Sequence, residues 1–236
     1  MAISAYPIAA AAGCFKRESG VNPGIWESLI VPSDAVPWYH VYQYDGIGGY
    51  GFGQFTNVPL SGGGVSWRCK DYYDWCVSAG YDPWDGNAEL YYIINVERVW
   101  FTDSYHPTLL GINSQADFWA STSTNLDALT TDWLSRWEGV PGDHLQERIE
   151  AAYRFYNYIY EHQNDDPSQY TWVSGNFYTT DAQMLNNVMC MYFYLEGFTP
   201  DPGPGPGPGP GPGPGPSPGS RRKMPLWMML KPLTHF

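Results

Sequence analysis

The stretch "PIAAAAGCFKRESGVNPG", residues 7–24, decides how the chain is read. Its first half is apolar almost all round, which predicts a helix over 7–18 buried on every side. The polar run Lys16-Arg17-Glu18-Ser19 then meets Gly20, a helix stop, and Asn22-Pro23-Gly24 reads as a turn. One acid is thereby set at the end of a buried helix. The sequence-level alternative is an exposed glutamate on a helix end, and a Glu-Ser pair alone does not separate the two.

Around this helix the chain of 236 residues has 43% apolar residues, enough for one domain of ordinary size with a sizeable core. Aromatic residues make up 17% of it, and flat rings with polar edges suit sugar rings in a groove as well as packing in a core. With 24 acidic against 12 basic residues the net charge is -12, which argues against nucleic acid as a partner. The N-terminal apolar run lacks a positive region before it and reads as helix of the mature chain rather than as a signal peptide. Cys14, Cys69, Cys76 and Cys190 show no CxxC spacing, and HExxH is absent, so neither a disulfide framework nor a metal site is signalled. No cofactor is implied.

Apolar spacing predicts further helices over 67–79, 87–100, 125–138, 145–160 and 180–196. For 145–160 the expected buried face is Leu145, Ile149, Ala152, Tyr153, Tyr156, Ile159 and Tyr160, with Asp143 as N-cap and Gln146 three residues on. "QYDGIGGYGFGQFTN", residues 43–57, is the exception, glycine-rich and aromatic, and reads as a hairpin or loop open to close approach by another chain. The domain is placed at 1–200. From Pro202 to Gly219 a Gly-Pro repeat forms a linker, 201–220, reaching at most roughly 55 Å at about 3.1 Å per residue. The tail 221–236 joins Arg221, Arg222 and Lys223 to an apolar cluster around Trp227, too short to cross a bilayer but suited to docking on a protein or a membrane surface.

Three motifs carry a family resemblance. "RESGVNPGIWES" (17–28), "GGYGFGQFT" (48–56) and "WLSRWEGVPGDHLQERIEAAYRFYNYI" (133–159) follow one another as do the motifs of the phage tail lysozyme family. There a helix ending in Glu-Ser and an Asn-Pro-Gly turn faces a Gly-Tyr-Gly hairpin, and an acidic-plus-proline turn, an arginine and an Ala-X-X-aromatic helix come later. The resemblance implies a mainly α, α+β lysozyme-like fold with a small glycine-rich hairpin beside the cleft. It also implies a muramidase, a glycosidase of bacterial peptidoglycan that cleaves between N-acetylmuramic acid and N-acetylglucosamine. Glu18 is then the general acid, Tyr50, Gln54 and Thr56 border the cleft as substrate-binding residues, and Gly49, Gly51 and Gly53 let the glycan lie close to the strand.

The second carboxylate is the departure. In animal-type lysozymes it immediately precedes the Tyr-Gly of this hairpin, where Gly49 stands here. Asp45 is the candidate to position a water or stabilise the oxocarbenium ion, weighed evenly against a turn residue, and Asp34 is a weaker one. A virion tail location, with wall opening during entry, fits the spacer and tail. A lysis-phase endolysin, a lytic transglycosylase and a non-catalytic glycan-binding tail protein are the alternatives. A cysteine peptidase or amidase using Cys14 and His40 is compositionally possible, against which Cys14 reads as a buried thiol. Finally, the family's helix that precedes the catalytic helix matches "NFYTTDAQMLNNVMCMYFYLEGFTP", 176–200, which suggests a circularly permuted domain.

Overall fold

In the computed structural model the described residues are 3–26, 29, 49–59, 63–102, 104 and 106–197. Asp34, His40, Asp45, the Gly-Pro linker and the C-terminal tail lie outside them. The described chain is mainly helical, with one two-stranded antiparallel ribbon. None of its helices is long and apolar enough to cross a membrane.

Helix α1, Ala5–Ser19, is the axis of the domain. Ile8 through Ala12 are fully buried, as are Cys14 and Phe15, so the alanine run is buried all round as its composition predicts. Small side chains let another helix approach closely: a Cβ on Gly13 would lie 2.6 Å from the Arg148 carbonyl and 2.9 Å from the Ala152 Cβ. That neighbour is α6, Leu145–His162. Its buried face is Arg148, Ala151, Ala152, Phe155 and Ile159, which corrects the expected one, since Tyr153 and Tyr160 are exposed. A stripe of alanine and glycine on α1 admits alanines opposite it and turns the bulky tyrosines outward.

At its C-terminus α1 stops on Gly20 in the left-handed region (φ 65°), whose N–H donates to the Lys16 carbonyl at 3.1 Å. The described part of the glycine-rich segment, residues 49–57, contains a tight turn, in which Tyr50 and Phe55 exchange backbone hydrogen bonds of 3.1 and 2.8 Å. Strand β1, Asn57–Pro59, pairs with β2, Val65–Trp67, which leads into α2, Arg68–Ala79. This ribbon follows the stretch 43–57 expected as a hairpin or loop, whose residues 43–48 lie outside the described ones.

Helix α3, Gly86–Tyr91, continues as a wider turn over Tyr92–Glu97 and ends at Arg98 with φ 49°, short of the expected 100. Helix α4, Gln115–Trp119, was not expected from spacing. Helix α5, Leu126–Trp133, likewise widens over Leu134–Glu138 and stops at Gly139 (φ 73°). On it Trp133 and Trp137 stack at 4.8 Å, and Phe15 meets both edge-on at 5.9 and 5.6 Å. Helix α7, Asp181–Leu195, starts with a complete capping box between Thr180 and Gln183. It runs antiparallel to α1. The Thr179 hydroxyl donates to the Gly20 carbonyl at 2.8 Å, and the Ile3 N–H to the Leu195 carbonyl at 3.4 Å.

Candidate active site

Glu18 projects from the last turn of α1 with its side chain 28% exposed. Its partner is Arg148 of α6, whose side chain is fully buried and whose Nη2 lies 2.5 Å from Glu18 Oε1. The same guanidinium reaches Glu138 Oε2 at 3.3 Å and Asp143 Oδ2 at 3.0 Å, and donates through Nη1 to the Cys14 carbonyl at 3.0 Å. Three acids therefore converge on one cation. Asp143 does not cap α6 as expected: its carboxylate and carbonyl both serve Arg148, and His144 precedes the helix with φ 45°.

Glu138 ends the widened turn of α5, with only 7% of its side chain exposed. Such turns re-aim the side chains that follow them. Burial pushes its carboxyl up to about 8, against the pull of Arg148; the Glu18 charge and a side-chain hydrogen bond with Glu18 raise it further, and Arg68 opposes. Oε1 of Glu138 is buried without a hydrogen-bond partner, so nothing on that side offsets the cost of ionising the carboxyl. At neutral pH the cluster thus keeps a proton beside Glu18, because one guanidinium cannot balance three carboxylates at close range.

The residue after Glu18 ties the helix end to the glycine-rich turn. The Ser19 hydroxyl lies within hydrogen-bond distance of the Phe15 and Phe52 carbonyls, 3.0 and 3.1 Å. Beneath that turn Glu89 is fully buried, accepts from the Gly53 N–H at 3.2 Å and has its carboxyl pushed well above the usual range by desolvation. The glycines serve these contacts. A Cβ on Gly51 would lie 2.3 Å from Glu89 Oε1, one on Gly53 2.4 Å from Trp137, and one on Gly49 2.9 Å from Gln54. This corrects the expectation that they make room for a glycan: the space is taken by protein side chains.

Of the hairpin residues, Tyr50 is 1% exposed, and its hydroxyl donates to the Pro83 carbonyl at 2.9 Å. Gln54 is half-buried at φ 46°, donates from Nε2 to the Gly51 carbonyl at 2.7 Å and leaves Oε1 without a partner. The Thr56 hydroxyl donates to the Gln54 carbonyl at 2.9 Å. Cys14 is fully buried, its thiol directed at the Thr130 carbonyl and pushed up by burial, so it is unsuited to nucleophilic work.

A cavity of about 290 Å³ opens beside Glu18, between the end of α1 and the residues around the start of α7. A larger cavity of about 500 Å³, including Ile3 and Trp119 in its lining, contains no carboxylate and sits toward the opposite end of α1. It lies on the order of 20 Å from Glu18 by helix rise, which removes it from the acid chemistry.

Sequence reasoning missed Glu138, Asp143 and Arg148 as members of the site, although all three stand in the quoted motif 133–159. A family model described as phage tail lysozyme matches residues 2–159, about two thirds of the chain. Among curated proteins nothing matches.

Proposed function

The chain belongs to the phage tail lysozyme family, lysozyme-like peptidoglycan hydrolases, and from that premise we propose that it is a muramidase. In this reading it cleaves the β-1,4 bond between N-acetylmuramic acid and N-acetylglucosamine. The observation that carries it is the convergence of Glu18 and Glu138 on the buried Arg148. Glycoside hydrolysis needs a carboxyl that delivers a proton to the leaving oxygen. Glu18 is the member that lines the cavity and gives that proton. Arg148 fixes its orientation, and Glu138 holds a proton next to it.

Glu138 is not the missing second carboxylate, since it is enclosed and held by Arg148. That role stays with Asp45, four residues before Gly49. Gln54 and Thr56 border the cleft in this reading, at the family's hairpin positions. Tail association and wall opening during entry are supported by the family and by the Gly-Pro spacer with its basic-apolar end. A permuted order is supported by the contact of Ile3 with Leu195. The acid assignment is tested by Glu18→Gln: clearing of purified cell walls is lost while the unfolding midpoint is kept, and undiminished clearing overturns it.

A further inference from the structure

We propose that Tyr178 is a stacking platform for an N-acetylhexosamine ring next to the scissile bond, which makes the segment after residue 159 part of the substrate site. The proposal rests on the muramidase reading. The cavity beside Glu18 is walled by Lys16, Glu18 and Gly20 on one side and by Tyr178, Thr179 and Asp181 on the other. This second wall lies beyond the residues that the family model matches.

Its backbone is held in place from the turn that follows Glu18. The Asn22 amide donates to the Gly175 and Phe177 carbonyls at 2.8 and 2.7 Å, and its Oδ1 accepts from the Gly24 and Gly175 N–H groups at 2.9 and 3.2 Å. Asn176 accepts from the Trp26 N–H at 3.0 Å, and Thr179 closes the other side on Gly20 at 2.8 Å. The residues flanking Tyr178 are thus anchored, yet its own side chain is 68% exposed. Phe177 behaves differently, packing its ring back over Gly175, where a Cβ would meet it at 2.4 Å.

A large ring held on fixed backbone and left in water is pre-organised for a flat partner. The C–H face of a pyranose is such a partner, and the tyrosine hydroxyl offers a polar edge to its substituents. Polar groups surround it: Glu18 and Asp181 are each paired with an arginine, and Lys16 and Arg17 line the same cavity as donors for sugar hydroxyls or an acetamido carbonyl. At about 290 Å³ the space is near the lower limit of roughly 300 Å³ for small-molecule pockets, which suits a single ring.

The test separates binding from catalysis by using the Glu18→Gln protein. Its retention on insoluble purified peptidoglycan and its affinity for chitotetraose are measured with and without Tyr178→Ala and Tyr178→Phe. Tyr178→Ala is expected to weaken both about tenfold, Tyr178→Phe by less than about threefold, with the unfolding midpoint unchanged in each. Tyr178→Ala binding both ligands as tightly as the parent overturns the platform. So does equal weakening by Phe and Ala, which would assign the effect to the hydroxyl. If Glu18→Gln still cleaves the wall, the acid assignment fails by itself, and the chitotetraose affinities still decide Tyr178.

Discussion

Replacing Glu138 by glutamine probes the proton held beside Glu18. In the folded protein the Glu138 carboxyl is raised to about 8, from an ordinary 4.5. Below pH 4.5 it is protonated folded and unfolded, and costs nothing. Between 4.5 and 8 the unfolded chain ionises while the folded one keeps its proton, so stability falls as pH rises, and above 8 the loss is complete. At about 1.4 kcal/mol per pH unit the loss is bounded at about 5 kcal/mol. Glutamine keeps the shape of the neutral acid and cannot ionise. Guanidinium unfolding at intervals from pH 5 to 9 is therefore expected to show the wild type losing roughly 2 to 4 kcal/mol relative to Glu138→Gln. Parallel curves, with the variant less stable by a constant amount, would overturn the raised Glu138 carboxyl. Glu138 would then be an ionised partner of Arg148 throughout.

Arg148→Met leaves three acids and the Cys14 carbonyl without their donor, and should cost about 3 to 5 kcal/mol in guanidinium unfolding at pH 7; a loss below about 1 kcal/mol would contradict the clamp. Arg148→Lys does not restore it, because an ammonium cannot spread over the same fork of acceptors. For the permutation, a chain ordered 164–197, a short Gly-Ser linker, then 3–163 rejoins ends already linked by the Ile3–Leu195 hydrogen bond. It should unfold cooperatively within about 3 °C of the parent, roughly the shift expected from 1 kcal/mol in a domain of this size, and failure to fold would count against the proposal.

The catalytic helix was legible because composition alone dictates it. An alanine run buried all round and a glycine stop give α1 within two residues at its start and one at its end. Helix α6 was legible as a helix but not in its orientation, since the face it buries is chosen by the small residues of α1 rather than by its own tyrosines. Glu18 was found through spacing to the glycine-rich motif, yet its partner Arg148 stands 130 residues away in sequence, and no local pattern reveals that contact. Asp143 shows the limit clearly. Its position before a helix fits an N-cap, and a buried guanidinium five residues on competes for the same carboxylate and wins. Asn22 was legible only as a turn residue, whereas its amide fastens the distant segment 175–177 to the active-site helix.

Mass spectrometry of purified peptidoglycan digested by the full chain, with Glu18→Gln in parallel, decides whether Glu18 is the acid of a muramidase. Muropeptides ending in a reducing N-acetylmuramic acid are expected from the wild type and none from the variant. Anhydro-sugar ends, fragments cut only within the peptides, or the same muropeptides from Glu18→Gln would contradict that assignment.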